Sequence, residues 1–315
     1  MVHAVNIGRL GAAIAILFLH TVLASKWGSY GNIGRFAVPF FTITSCYFTL
    51  NTALSSSSFK EFIYKRIKKI YLVFLIWNCI YFFIRFCTYE ILLKQDASLL
   101  FENFFMILFI NGFAHHLWFL PFIFICSIVL YLSTRYLRKE GELTWFWRIS
   151  FSILILLSYH FDLLINLSSN YVLILSHNTL PALAASFLIK KNNRIAQYNS
   201  MLLFLFLYLF FSSLFIKYSY IVYNLSGIIL FVYCLNSPLI LSKKHSKIVS
   251  TVSFGIYLNH ILFVEGIQKI SFKFFNLKDT FSTYLLIFIL SLLMSVSFCF
   301  IVDKLKLKIL NGVVQ

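Results

Sequence analysis

The 315-residue chain is 60% hydrophobic and only 12% charged, with a mean hydropathy of +0.86. Because a soluble globular domain is about a quarter charged, this composition excludes a soluble protein and indicates a polytopic membrane protein. The formal net charge of +17 would suit nucleic acid, but the basic residues concentrate in loops between apolar runs, which is the pattern of membrane topology. We therefore predict membrane lipids as partners and no nucleic acid.

Apolar runs long enough to cross a bilayer, which takes about 20 residues, recur along the chain. They predict an all-α transmembrane bundle of about ten spans, with residues 1–315 forming a single membrane domain. The predicted spans are 7–24, 33–54, 70–88, 117–134, 144–161, 171–189, 200–216, 219–241, 250–267 and 281–302. The first run could also be a signal peptide, but no convincing small-residue cleavage site follows it, so we interpret it as an uncleaved span.

The orientation of the spans follows from the 27 Lys and Arg residues. With a cytoplasmic N-terminus, most of them fall on the inner side, in loops 55–69, 135–143, 190–199 and 242–249 and in the tail from 303. Since cytoplasmic loops carry the excess of Lys and Arg, we predict that both termini are cytoplasmic. The short apolar segment 101–112 would reverse every later loop if it were a span, so we interpret it as re-entrant or interfacial.

The first span contains two polar side chains that are costly in a bilayer, at about 2.5–3.5 kcal/mol for an arginine. Arg9 and His20 enclose ten apolar or glycine residues. Eleven helical steps place them within about 20° of the same face and about 16 Å apart along the axis. This predicts a cavity with an arginine near its cytoplasmic end and a histidine deeper in. The alternative is that Arg9 reaches the inner headgroups and His20 caps the outer end.

The second span contains Arg35 near its outer end, where the guanidinium needs a partner or water. Pro39 follows four residues later. A proline inside a span frees a backbone carbonyl, as broken helices do at binding cavities. The alternative is that Pro39 produces a packing kink without a functional role.

The ninth span contains a polar stripe, because Ser253, Tyr257 and His260 follow the i, i+4, i+7 pattern of one helical face. This stripe is either part of a site or a set of hydrogen bonds between helices. Glu265, at the outer end of the same span, either pairs with Arg35 or is solvated.

Two further segments are candidates. The segment HHLWFLP, 115–121, places His115, His116 and Trp118 at the outer boundary, where a tryptophan commonly belongs to the aromatic belt. The segment YKRIKKIY, 64–71, is strongly basic, and topology or lipid headgroups account for it fully. Its functional interpretation is a cytoplasmic clamp for the phosphates of a nucleotide-like cofactor, formed by Lys65, Arg66, Lys68 and Lys69. The six cysteines form no CxxC pair, and we predict no metal site.

Together these segments resemble the membrane acyltransferase-3 family, bacterial O-acyltransferases that modify cell-envelope polysaccharides. The Arg9-x10-His20 pattern is similar to the family's R-x10-H in its first helix. Residues 38–48 (VPFFTITSCYF) resemble its VPFFF-x-SGYF segment, and residues 65–69 (KRIKK) resemble its RRxxR loop. Residues 116–120 (HLWFL) and 253–260 (SFGIYLNH) are similar to its later motifs.

Several departures from the family pattern bear on the expected chemistry. Cys46 replaces the glycine of SGY, which would otherwise allow a close backbone approach. Lys65 and Lys69 replace arginines and keep the charge but lose the bidentate fork. We find no counterpart of the periplasmic domain that is fused to some members. We therefore expect that the protein completes the transfer alone or with a separate periplasmic or glycan-assembly partner.

The resemblance implies a multi-pass O-acetyltransferase of the bacterial cytoplasmic (inner) membrane. Its acyl donor would be cytoplasmic acetyl-CoA, and its acceptor a hydroxyl of a cell-surface polysaccharide or of its lipid-linked precursor, such as O-antigen of lipopolysaccharide, capsule or exopolysaccharide. Two alternatives stay open: a transporter or flippase of a lipid-linked glycan, and the same enzyme class with another acyl group such as succinyl.

The resemblance also implies roles for the candidate residues. His20 is the catalytic base or a transient carrier of the acetyl group, because a sugar hydroxyl needs a base near neutral pH. Arg9 is the second catalytic residue, and Lys65, Arg66, Lys68 and Lys69 bind the phosphates of the donor. The residues expected to contact the substrate or the oxyanion, or to support the site, are Arg35, His116, Trp118, Ser253, Tyr257 and His260.

Overall fold

The computed structural model describes residues 3–23, 25–56, 58–88, 104–136, 145–150, 152–153, 180–189, 197–215, 220–239, 241–305, 307 and 310. All regular structure in these residues is helical, which confirms the predicted all-α class. The main helices are α1 (His3–Val22), α2 (Ala37–Ser55), α3 (Phe59–Cys87), α4 (Phe119–Tyr136), α5 (Leu180–Leu188), α6 (Asn199–Ser212), α7 (Tyr220–Asn236), α8 (Lys243–Lys269) and α9 (Phe281–Lys304). A 3₁₀ helix, Gly28–Gly34, precedes α2, and π-helical turns occur at Ile67–Tyr71, Ile107–Asn111 and Ile270–Phe274.

Within the described residues, five helical stretches are long and apolar enough to cross a membrane: His3–Val22, Gly28–Ser55, Phe59–Cys87, Lys243–Phe274 and Phe281–Lys304. The predicted spans 117–134, 200–216 and 219–241 correspond to shorter apolar helices. The predicted spans 144–161 and 171–189 lie only partly within the described residues, so the number of spans and the side of each terminus stay predictions. Residues 104–111 are helical and end at Gly112, whose φ is 84°; whether this segment is re-entrant also stays a prediction.

Two of the predicted inner loops are largely helical in the structure. The hydroxyl of Ser58 accepts a hydrogen bond from the backbone N–H of Glu61 at 3.2 Å, and this cap starts α3 at Phe59 rather than at residue 70. The S-x-x-E spacing is that of a capping box. Ser242 caps α8 in the same way. The predicted spans begin too late at these two helices, because an apolar run does not include the polar first turns of the helix that contains it.

Pro39 lies in the first turn of α2, which starts at Ala37. A proline is tolerated there because its missing N–H would have no partner within the helix. The helix continues without interruption from Ala37 to Ser55, and Phe40 N donates to Phe36 O at 3.0 Å. The interpretation of Pro39 as a break inside a helix is therefore wrong.

Helix α1 lies at the centre of the bundle and packs along α8 and α2, with further contacts to α7 and α9. The start of α2 is held from the other side by α7. A Cβ atom at Gly227 would lie 2.7 Å from Phe40 N and 2.8 Å from Phe36 O, so only glycine allows these backbones to approach this closely. This contact fixes the position of the first turns of α2.

We expect Gly227→Ala to lower the stability of the folded protein by about 1–3 kcal/mol, because the new methyl group would overlap backbone atoms that have no room to move. The matched control is Gly11→Ala, since a Cβ there meets no atom within 4 Å. Thermal unfolding of the two detergent-solubilised variants is the measurement. Equal melting temperatures for wild type and Gly227→Ala would contradict the close packing of α7 on α2.

Candidate active site

Four histidines from three parts of the chain form one cluster. His20 lies in the last turn of α1, and its Nδ1 is 3.1 Å from Nε2 of His115. The ring of His260 stacks on that of His20, with centroids 5.3 Å apart and an interplanar angle of 30°. The ring of His116 contacts that of His260 at a centroid distance of 4.7 Å. The structure thus brings the predicted His20, His116 and His260 together and adds His115.

The hydrogen bonds of two of these rings define which nitrogen carries the proton, because a carbonyl oxygen only accepts. Nδ1 of His260 lies 2.8 Å from the carbonyl oxygen of Tyr257 and 3.0 Å from that of Ile256, so the neutral ring is protonated at Nδ1. Nε2 of His116 lies 3.3 Å from the carbonyl oxygen of Leu258 and carries the proton there.

The other nitrogens of these two rings are left with lone pairs. His260 Nε2 and His116 Nδ1 are buried and make no hydrogen bond within the part of the chain that the structure describes. Buried polar atoms are ordinarily satisfied. Nδ1 of His116, whose ring lines a cavity, is therefore able to accept a hydrogen bond from a bound hydroxyl, whereas His260 lines neither described cavity and supports the cluster from behind.

A cavity of about 80 Å³, which we name the histidine chamber, is lined by His20, His115 and His116. Arg35 also lines it, donates from Nε to Oδ1 of Asn32 at 2.8 Å, and lies 5.8 Å from the ring centroid of Tyr223. The structure therefore places Arg35 beside the histidines, as predicted.

Of the two alternatives for Glu265, a pair with Arg35 or solvation, the structure shows no pair with Arg35. Glu265 is partly exposed, and its Oε1 lies 3.5 Å from Nη2 of Arg85. Glu265 and Arg85 are both partly exposed, and such a pair contributes little to stability.

Trp118 lines the histidine chamber and is only 5% exposed, packed against Phe119 and Phe122. A tryptophan of the aromatic belt would lie at the lipid-facing surface. Burial against the chamber therefore favours the site interpretation of Trp118 over the belt interpretation.

A second, larger cavity of about 600 Å³, which we name the basic chamber, lies along the other part of α1 and α8. No Asp or Glu is among its described lining residues. Ser253 of the predicted polar stripe lines it, together with the hydroxyl-bearing Ser250 and Thr251. The cations that line it are Arg9, Arg66, Lys69 and Lys247.

The basic segment 65–69 divides between this chamber and the surface. Arg66 and Lys69, three residues apart on one face of α3, line the chamber. Nε of Arg66 is buried and makes no hydrogen bond to any described residue. Lys65 instead pairs with Glu61 at 2.5 Å, and Lys68 is not among the residues that line the chamber.

The structure gives a place in the site to two residues to which the sequence analysis assigned no role, His115 and Lys247. The signal for Lys247 is helical spacing, since Lys247, Ser250, Phe254 and Tyr257 continue one stripe at intervals of three and four along α8. The apolar-run criterion hid this signal because it placed Lys247 in a loop. His115 carries no periodic signal, and its role follows from its contact with His20 alone.

The prediction that Arg9 and His20 share a cavity is wrong in detail. Arg9 lines the basic chamber and His20 lines the histidine chamber. Three aromatic side chains, Phe41, Phe119 and Tyr257, line both chambers and lie between them. The two motif residues therefore serve neighbouring compartments along one helix.

A family model described as an acyltransferase domain matches residues 2–304. The chain belongs to the acyltransferase-3 family. With its apolar spans, this acyltransferase is a membrane protein, and the resemblance inferred from the motifs is confirmed. No curated protein and no solved structure matches the chain.

Proposed function

We propose that this acyltransferase moves an acetyl group from cytoplasmic acetyl-CoA to a hydroxyl of a cell-surface polysaccharide or its lipid-linked precursor, in the bacterial cytoplasmic membrane. The observation that carries the proposal is the arrangement of two chambers along α1, one basic and one lined by histidines. This reaction requires side chains that bind the phosphates of the donor and side chains that accept and return a proton.

The basic chamber fits the donor by charge and by size. Coenzyme A carries several phosphate charges, and cationic side chains bind phosphate through charge-assisted hydrogen bonds. The buried Nε of Arg66, which has no partner among the described residues, is available for such a bond. The volume of about 600 Å³ lies in the range of about 300–1,000 Å³ that is usual for ligand sites. The histidine chamber, at about 80 Å³, is much smaller and suits the reacting end of the donor and a hydroxyl.

His20 is the base in this account. When its Nδ1–H donates to Nε2 of His115, Nε2 of His20 keeps a lone pair that accepts the proton of the acceptor hydroxyl. The hydroxyl oxygen then attacks the thioester carbon, the C–S bond breaks, and the protonated His20 returns the proton to the departing thiolate. Arg35, which lines the same chamber, stabilises the developing oxyanion.

His115 is a positioning residue in this scheme, because it holds His20 in the tautomer that has its lone pair at Nε2. A direct transfer and a transient acetyl-His20 use the same geometry. They differ in one observable. Labelled acetyl-CoA without acceptor leaves the label on the protein, and His20→Ala abolishes that label, only in the covalent route.

We expect His20→Ala to lower acetyl transfer by about 10²–10⁴-fold, the usual contribution of a general base. His115→Ala should lower it less and shift its pH profile, and His115→Gln should restore part of the loss because the amide can accept the same hydrogen bond. Acetylation of envelope polysaccharide and transfer from labelled acetyl-CoA in proteoliposomes measure the effect.

The control for these variants is His245→Ala, since His245 is exposed at the start of α8 and lines neither described chamber. A stably folded His20→Ala protein with normal acetyl transfer would refute the catalytic assignment. A glycan transporter or flippase would neither consume acetyl-CoA nor respond to it, so absence of any consumption by purified wild-type protein would favour that alternative.

We expect Lys247→Ala and Lys69→Ala each to raise the KM for acetyl-CoA about tenfold, because each removes a charge-assisted hydrogen bond to phosphate. Turnover at saturating donor should change little, since neither side chain lines the histidine chamber. Lys244→Ala, one turn earlier on α8 and exposed, is the matched control. Equal KM values for Lys244→Ala and Lys247→Ala would contradict the placement of the donor phosphates.

A further inference from the structure

The two chambers meet at a single layer of rings. Phe41 of α2, Phe119 of α4 and Tyr257 of α8 are the described residues that line both chambers. The ring centroids are 6.1 Å apart for Phe41 and Tyr257, 6.4 Å for Phe41 and Phe119, and 6.0 Å for Phe119 and Tyr257. Each ring therefore contacts the other two. We name these three side chains the aromatic layer.

Two members of the aromatic layer are held in place. The hydroxyl of Tyr257 donates to the carbonyl oxygen of His116 at 2.6 Å, and its ring is 4% exposed and stacks on Phe254 with an interplanar angle of 7°. Phe119 is 8% exposed and starts α4. Phe41 is less buried than Phe119 and Tyr257, and unlike Tyr257 it has no hydroxyl that could anchor its ring. Phe41 is therefore the ring that can turn aside with least disturbance.

The position of the layer has a chemical consequence that rests on the proposed function. With the donor phosphates held by Arg9, Arg66, Lys69 and Lys247, the acyl end must reach His20, about 16 Å further along α1. The acyl group then has to pass the aromatic layer to enter the histidine chamber, whose volume is about 80 Å³.

We propose that the aromatic layer selects the acyl group by size and charge, and that Phe41 is its main specificity-determining residue. Three rings in mutual contact open for a small acetyl group with a limited rotation of one ring. Each further methylene requires more displacement in a packed interior, which responds steeply to added volume. A succinyl carboxylate would lose its hydration between rings that offer it no hydrogen bond or cation. The layer thus favours acetyl over succinyl transfer.

The test compares acetyl-, propionyl-, butyryl- and succinyl-CoA as donors for the protein in proteoliposomes with its polysaccharide acceptor. We expect wild-type kcat/KM to fall at least about tenfold from acetyl- to butyryl-CoA. The acyl preference is the kcat/KM for acetyl-CoA divided by the kcat/KM for butyryl-CoA. We expect Phe41→Ala to reduce this acyl preference by about tenfold or more while acetyl transfer continues. Phe41→Leu keeps more of the packing volume and should reduce the acyl preference by less. It provides the test if the alanine variant does not fold.

The matched control is Phe288→Ala, since Phe288 is also half-buried, packs on the ring of Phe18 and lines neither described chamber. Its acyl preference should equal that of wild type. An unchanged preference in folded, active Phe41 variants would overturn the proposal, and so would a wild-type protein that uses butyryl-CoA as well as acetyl-CoA. Failure of the proposed function gives another result, namely no transfer from any thioester by wild-type protein.

Discussion

The hydrogen bond from the Tyr257 hydroxyl to the carbonyl oxygen of His116 is the interaction on which the site depends. Both groups are buried, so loss of either partner would leave an unsatisfied polar atom. The bond ties α8 to the segment before α4 and sets the positions of His116 and its neighbour His115. Tyr81 of α3 adds a second tie, since its hydroxyl donates to the carbonyl oxygen of Leu258 at 3.0 Å.

The same tyrosine connects the chemistry of the two chambers. Its ring belongs to the layer between them, and its backbone carbonyl accepts from Nδ1 of His260, which orients the imidazole stacked on His20. One residue thus contributes its ring to the barrier that the acyl group meets and its backbone carbonyl to a histidine beside the proposed base. Hydrogen bonds of this kind are expected inside a membrane bundle, because its polar groups must find partners within the protein.

The sequence predicted much of this site by residue type and spacing. The stripe of Ser253, Tyr257 and His260 is buried as its helical period indicates, and Arg9 and His20 do lie along one central helix. The division of that face into two chambers could not be predicted, because Phe41 and Phe119 come from other helices. The helix starts that Ser58 and Ser242 cap were also not predicted, because a search for apolar runs ignores polar capping residues.

The most direct test of the account is a structure of the protein with a non-transferable thioether analogue of acetyl-CoA bound. The account predicts the phosphates among Arg9, Arg66, Lys69 and Lys247, the arm passing between Phe41, Phe119 and Tyr257, and the acetyl end beside His20. Phosphates bound elsewhere, or an acetyl end that stays in the basic chamber, would contradict the claim that the acyl group crosses the aromatic layer to reach the histidines.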